Sequence, residues 1–394
     1  MDDRIRINNL ARNLQNIDPS SYILQNPDKL DPETLKRVVK EYQFLHKLKS
    51  KLPEWASVNN LLGANIKAIE QCSTPITAQF KFKDLKVESS VDLTGGFGVD
   101  SYFLSLISQK HTYNELNPTL KEIVAHNFKV LGRDNIECLN MSAEELVSNL
   151  KPKVDLIYID PDRRGDQKVK LVSIQDCIPN LIELQDAIFD KTEELIIKYS
   201  PMLDHHLALT QLKYVYKVVI IAVKNDAKEL VFYANKSKSK SGIVISTINF
   251  TDSQPEIFEC SLTNKRNLEV EYSPVLKYLY EPNSAVMKSG LWSEIAEKYS
   301  VKKIAPNSHF FTSPELIANF PGRILFVTNT MPFSKKIAKS LTGIKANIIS
   351  RNFGQKPEVL RQKFKIKEGD NDFIIFTRDF SANRIVISTT KITT

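Results

Sequence analysis

The sequence predicts an α/β protein built on a doubly wound, largely parallel sheet. Three observations predict it. The run from Val91 to Asp100, Val-Asp-Leu-Thr-Gly-Gly-Phe-Gly-Val-Asp, ends an apolar strand in an acid, turns on small residues and opens an amphipathic stretch at Tyr102, Phe103, Leu106 and Ile107. From Val87 to Ala234 strand and helix patterns alternate. Asp92, Glu115, Ser142 and Asp160 all fall at carboxyl ends of predicted strands, where such a sheet gathers its ligand pocket.

Residues 1–85 read as helical. Asp31 is an N-cap, Pro32 takes the first helical position, and Leu35, Val38, Val39, Tyr42, Phe44 and Leu45 follow at roughly helical spacing. Pro53 interrupts, and the helical pattern resumes from Ala56 to Ile69. Gln71–Phe80, polar and small, reads as an approach to the next domain. Ser90–Leu93 is then a strand, Val99–Ile107 a helix and His111–Glu115 a strand. Thr119–Leu131 is a helix stopped by Gly132. Ile136–Leu139 and Val154–Ile159 are strands, Leu171–Phe189 holds one or two helices, and Glu194–Tyr199 is the fifth strand. Two apolar segments, Val215–Val223 and Glu229–Ala234, flank Lys224-Asn225-Asp226 in the manner of a closing hairpin. The Lys-Ser run from Asn235 to Gly242 is a solvated linker.

Residues 243–330 mix strands with a short helix at Leu291–Tyr299. The final segment reads β-α-β-α-β-β over Arg323–Thr328, Ser334–Leu341, Ala346–Arg351, Pro357–Phe364, Asp372–Thr377 and Arg384–Ser388. A chain of 394 residues exceeds one ordinary core. We divide it at 1–85, 86–240, 241–321 and 322–394.

With 42% apolar and 25% charged residues the chain reads as soluble and globular. No apolar run reaches the ~18 residues of a membrane span, and Met1-Asp-Asp-Arg-Ile has no signal core. A cytoplasmic protein with no membrane partner is expected. Cys72, Cys138, Cys177 and Cys260 show no Cys-x-x-Cys spacing, so reduced thiols and no metal are expected. The charge is uneven. Residues 1–235 hold 30 Lys and Arg against 32 acids, whereas 322–394 hold 14 against five. A basic module beside a near-neutral one suits a polyanionic partner, since neutralised phosphates release counterions.

Glycine in the 95–98 turn lets the backbone turn tightly and a ligand approach it. Glu115 follows the turn at about the 20-residue spacing of a ribose-binding acid. No Gly-Lys-Ser/Thr follows, so the pattern suits a nucleoside without polyphosphate.

These residues resemble the motifs of the class I S-adenosylmethionine-dependent methyltransferases. Asp92-Leu93-Thr94-Gly95-Gly96-Phe97-Gly98 is similar to their first motif and Glu115-Leu116-Asn117-Pro118 to their second. Ser142-Ala143-Glu144-Glu145-Leu146 stands where the adenine-contacting motif is expected, and Asp160-Pro161-Asp162-Arg163-Arg164 where the catalytic motif follows the fourth strand. The narrower resemblance is to the bacterial group with a THUMP-like C-terminal domain, through Glu70-Gln71-Cys72-Ser73-Thr74 and Ser350-Arg351-Asn352-Phe353 as well.

The resemblance implies a Rossmann-like sheet over 86–240, an N-terminal helical region, an α+β, ferredoxin-like linker domain over 241–321 and a basic THUMP-like domain over 322–394. It implies S-adenosyl-L-methionine as cofactor, its methionine part held by Asp92, Thr94, Gly95, Gly96, Phe97 and Gly98. Glu115 would take the ribose, Ser142 and Ala143 the adenine, and Leu116 and Asp160 would also touch the cofactor. The catalytic group would be Asp160, Pro161, Asp162 and Arg163. Amine-directed relatives carry Asn/Asp-Pro-Pro-aromatic there; Asp162 and Arg163 depart from it, although a guanidinium can stack on a base. Uridine-C5 methyltransferases need a nucleophilic cysteine after the fifth strand, and Lys198-Tyr199-Ser200-Pro201 offers none.

Namesakes of the C-terminal domain bind tRNA, which makes structured RNA (tRNA or rRNA) the expected partner. Arg164, Lys335, Lys336, Arg351, Arg361 and Lys363 are the candidate RNA-contacting residues. Phe353 is either a stacking ring or core. The expected activity is base methylation. The alternatives are a cofactor- and RNA-binding module with little catalysis, and a methyltransferase of a protein or small molecule.

Overall fold

A computed structural model describes residues 1–14, 18–26, 29–151, 153–163, 173–262 and 269–392. The chain forms two units, Met1–Tyr216 with Leu230–Lys240, and Lys217–Glu229 with Ser241–Thr394.

The first unit opens with helices α1 (Asp2–Asn13), α2 (Pro19–Gln25), α3 (Pro32–Lys51), α4 (Pro53–Ala56), α5 (Ile66–Gln71) and α6 (Pro75–Phe82). Local chemistry starts them: the Asp31 carboxylate accepts the amides of Glu33 and Thr34 at the head of α3. Two expectations fail here. Residues 57–65 are not helical, because their backbone bonds go elsewhere. The Asn127 side chain takes both the N–H (2.8 Å) and the C=O (2.9 Å) of Leu62, and Gly63 N–H donates to Glu41. Conversely, 75–82 is helical, started by the Thr74/Thr77 capping box and Pro75.

The sheet follows, through β1 (Val87–Asp92), α7 (Val99–Ile107), β2 (Ser108–Asn114), α8 (Pro118–Val130), β3 (Ile136–Leu139), α9 (Ala143–Asn149) and β4 (Leu156–Ile159). A two-residue strand pair, β5 (Asp162–Arg163) with β6 (Cys177–Ile178), precedes α10 (Leu181–Lys191), β7 (Glu194–Tyr199) and α11 (His205–Gln211). The strand order is β7-β4-β1-β2-β3, all parallel, and residues 230–235 add an antiparallel strand beside β7. Parallel strands are covered on both faces, which is why β4 and β7 are buried throughout. Phe44, Leu48, Trp55 and Leu61 pack with Phe97, Val99, Tyr113, Val124 and Phe128, so the helical region and the glycine turn share one core.

The chain runs from β8 (Val215–Val223) into β9 (Asp226–Asn235) through Lys224 and Asn225, both at positive φ, the two-residue turn of a hairpin. In the second unit β10 (Val244–Phe250) pairs in parallel with β8 and antiparallel with β11 (Glu256–Ser261).

A seven-stranded sheet comes next. Its elements are β12 (Tyr278–Pro282), α12 (Ser284–Ser289), α13 (Trp292–Tyr299), β13 (Lys302–Lys303), β14 (Phe311–Ser313), β15 (Gly322–Pro332), α14 (Lys335–Ser340), β16 (Asn347–Ser350), α15 (Pro357–Phe364), β17 (Asp372–Arg378) and β18 (Arg384–Lys391). The order β13-β14-β12-β15-β18-β17-β16 makes 278–391 one continuous sheet. Gly322 opens β15 at φ +151; a β-carbon there would lie 2.1 Å from the Glu281 carbonyl oxygen. Among the described residues no helix is long and apolar enough to cross a membrane.

Candidate active site

The turn after β1 is held from beneath. Asp92 is 1% exposed; its Oδ1 accepts Thr94 N–H (2.9 Å) and its Oδ2 accepts the Ser101 hydroxyl (2.6 Å). The carboxylate therefore shapes the loop from inside it. Burial pushes Asp92 up to about 7. Gly95 packs on the Tyr113 ring, and the Tyr113 hydroxyl donates to the Gly96 carbonyl (2.7 Å). Gly98, at φ +84, backs onto Val124 and Phe128. Phe97 is core, edge-on to Phe44 at 5.3 Å.

Gly96 differs from its neighbours. Its φ is +52, and nothing lies within 4 Å of where a β-carbon would stand. The amide of this open glycine donates to Oε2 of Glu115 (3.0 Å). Oε1 of the same carboxylate accepts Asn117 N–H (2.8 Å). Two backbone donors fix Glu115 and leave its remaining lone pairs for a ligand. Leu116 beside it is 65% exposed. Asn140 ties this edge to the end of β3, donating to the carbonyls of Glu115 (2.6 Å) and Leu116 (2.9 Å). Asn114 holds the next segment by bonding both the N–H and C=O of Met141. Ser142 caps α9 with its hydroxyl on Glu145 N–H, and Ala143 is buried.

After β4, Asp160 N–H donates to the Thr94 hydroxyl (2.6 Å), which brings the first and last expected motifs together. Pro161 is buried and Asp162 exposed. Asp162 pairs with Ile178, and the backbone of Arg163 pairs with Cys177. Arg164 lies outside the described residues.

Beside this edge sits a buried charge network for which the sequence pattern assigns no role. Lys198 Nζ is 2.5 Å from Oδ2 of Asp160 and 3.6 Å from Asp100. Lys81 Nζ contacts the other oxygen of Asp100 at 2.8 Å, and its side chain has no exposed surface. Ser73 donates to Asp100 (2.9 Å) and accepts from Lys81 (2.8 Å) and Lys198 (3.4 Å); Tyr158 also donates to Asp100 (2.8 Å). Burial works to raise the Asp100 carboxyl, but Lys81 and Lys198 with these bonds outweigh it and hold it at about 2. For Asp160 desolvation outweighs the attraction of Lys198 and raises the carboxyl above its ordinary value, although a third of the side-chain surface stays exposed. A lysine directly after the apolar Leu195-Ile196-Ile197 run of a strand is the available signal. Among the described residues no group of three or more His, Cys, Asp or Glu could hold a metal ion.

Residues 278–321 match a family described as a ferredoxin-like domain, and 322–391 one described as THUMP domain-like. The crystal structure of a "putative methyltransferase" from Porphyromonas gingivalis W83 is similar over 100% of this chain and 99% of that one, at 27% identity and a TM-score of 0.91. The fold is that of methyltransferases with a THUMP-like C-terminal domain. An rRNA methylase from Streptococcus thermophilus covers 42% of this chain and 98% of its own, at 19% identity and a TM-score of 0.31, which adds nothing to that assignment. Among curated proteins none matches.

In the THUMP-like domain the expected RNA-contacting residues separate into two kinds. Lys335 and Lys336 on α14 and Lys363 on α15 are exposed. Arg351 instead places Nε (3.1 Å) and Nη2 (2.7 Å) on Oε1 of Glu281, whose Oε2 takes Arg323 (2.7 Å). Arg361 is half-buried with a bond to the Ile366 carbonyl. Phe353 is 1% exposed, edge-on to Phe333 and Phe376 in the domain core, and cannot stack on a base from there.

Proposed function

We propose that the chain is an S-adenosylmethionine-dependent methyltransferase acting on a base of structured RNA, tRNA or rRNA. One observation carries the cofactor reading: an open glycine at φ +52 whose amide is bonded to a strand-end carboxylate that keeps free lone pairs. That pairing fits a ribose diol on Glu115 with the nucleoside passing close over Gly96, and the exposed Leu116 offers an apolar contact for a purine. The residues fit the cofactor, which when bound supplies an electrophilic methyl group on sulfonium.

The protein's own share of the work is positioning. Thr94, Gly95, Gly96 and Gly98 shape the floor, Asp92 and Phe97 fix it from within, and Ser142 and Ala143 begin the helix beside it. Asp160, braced by Thr94, presents a carboxylate beside Pro161, Asp162 and Arg163, where the substrate base would lie. The exposed lysines of 322–394 supply the sequence-independent attraction to RNA. In this reading 1–85, 86–240, 241–321 and 322–394 are helical, catalytic, linking and substrate-gathering parts.

The test is transfer of labelled methyl groups to total RNA from a strain lacking the gene, followed by nucleoside analysis. Label in RNA that depends on Asp160 supports the reading. Label in protein or small molecules instead, or S-adenosylhomocysteine binding with no transfer, supports one of the two alternatives.

A further inference from the structure

The inference concerns Lys198, and it rests on the reading of 160–163 as the reacting end of the site. Asp100 has nearer partners than Lys198: Oδ2 accepts Ser73 at 2.9 Å and Tyr158 at 2.8 Å, and Oδ1 lies 2.8 Å from Lys81, against 3.6 Å for Lys198. The charge of Lys198 is committed to Asp160 at 2.5 Å, while Ser73 and Asp100 hold its ammonium from behind. Stability does not account for this pair. The Asp160 side chain keeps a third of its surface, where an ion pair contributes little, whereas the Lys198 side chain is 8% exposed and costly to bury. An apolar side chain like its neighbours Leu195, Ile196 and Ile197 would serve β7 better.

We propose that Lys198 is a positioning residue: it clamps Oδ2 of Asp160 and leaves Oδ1 as the acceptor offered to an N–H of the substrate. Among the described residues none donates to Oδ1. Held by the lysine, the carboxylate is fixed in one orientation, which suits acceptance of an N–H. Among the described residues, the charged and titratable groups around Asp160 are Lys198 and Tyr199 on β7, Asp100 on α7, Lys81 on α6 and Asp92 on β1. Of these only Lys198 contacts it directly.

The test follows the Asp160 carboxyl by its 13Cγ resonance, assigned with Asp160→Asn, in the full chain without RNA or cofactor. In Lys198→Met the titration midpoint should rise by about 1–3 units, the usual effect of losing an adjacent opposite charge. Lys198→Gln keeps a donor without the charge and should rise likewise, and Lys198→Arg should restore the original midpoint. In the unaltered protein the 15Nζ resonance of Lys198 should move at the Asp160 midpoint, which needs no variant to fold. A midpoint unmoved by loss of the lysine charge, or independent titration of the two groups, overturns the proposal. If RNA methylation is also detected, the acid limb of its pH–rate profile should shift upward in Lys198→Gln. An absent activity would bear on the proposed function and leave the resonance test standing.

Discussion

Gly95 and Tyr113 occupy one space: a β-carbon on Gly95 would stand 2.1 Å from the tyrosine ring. One residue later the side-chain direction is empty. Adjacent glycines thus serve different ends, one in packing and one in access. Gly95→Ala should lower stability by about 1–3 kcal/mol, as overpacking does. Gly96→Ala should cost only the ~1–2 kcal/mol of its left-handed backbone yet weaken S-adenosylhomocysteine binding at least as much as Gly95→Ala does. Urea melts beside calorimetry separate the two.

Glu115→Gln is expected to be nearly as damaging as Glu115→Ala. Both oxygens accept backbone amides, from Gly96 and Asn117, so an amide side chain must turn its NH2 toward one donor. A tenfold or greater loss of S-adenosylhomocysteine affinity, about 1.4 kcal/mol, is the expected calorimetric result.

The buried Asp92 carboxyl gives a pH signature. Its folded value of about 7 lies above the ordinary 3.8, so its stabilisation is complete below pH ~4 and is lost as pH rises through 7. Asp92→Asn keeps the Thr94 bond, reverses the Ser101 bond so that the amide donates to the hydroxyl, and removes the titration. Relative to the parent, the variant should gain stability between pH 5 and 8, by about 2–3 kcal/mol. Denaturant melts at both pH values measure it. An equal difference at the two would place the ionised carboxylate comfortably in the fold.

Lys81→Met should destabilise strongly, by about 3–5 kcal/mol at neutral pH, because Asp100 then keeps a buried charge with its nearest cation gone. The Asp100 effect has the opposite pH sense to that of Asp92. Its folded value near 2 confers stability above pH ~4 that fades as pH falls toward 2. Lys81→Met should therefore lose least, relative to the parent, in strong acid, and melts between pH 2 and 7 follow this.

Arg351 and the exposed lysines should behave differently in RNA binding. Replacing Lys335, Lys336 and Lys363 with Ala should make the salt dependence of RNA affinity shallower, by roughly 0.7–0.9 in log–log slope for each phosphate no longer neutralised. Arg351→Ala should leave that slope alone and lower stability by about 1–3 kcal/mol, since it strips charged hydrogen bonds from the buried Glu281. Fluorescence titrations across a salt series read the first, thermal melts the second.

Much of this was legible in the chain because it is local. The glycine turn, the Asp31-Pro32 cap and the β-α-β-α-β-β order of 322–391 follow from short-range chemistry and periodicity, and the structure has each. What escaped depends on distant partners. Residues 57–65 looked helical until Asn127 claimed the backbone of Leu62. The Arg351 charge looked available until Glu281, seventy positions away, took it. Lys198 was read for the cysteine it is not, although a lysine in a buried strand already asks for a buried partner. Ser73 comes from the connection before α6, Lys81 from α6 and Asp100 from α7, and nothing in their spacing announces that they meet.

The seven-stranded sheet has a consequence for inheritance. The boundary between the ferredoxin-like and THUMP-like stretches falls at 321/322, yet β12 on one side pairs with β15 on the other from Tyr278↔Phe326 to Pro282↔Gly322. A cut there would bare two strand edges, each a template for wrong pairing. The two stretches are therefore not separate modules that shuffling could move or lose singly. Any gene fusion or engineered transplant that keeps the fold has to carry 278–391 as one parcel.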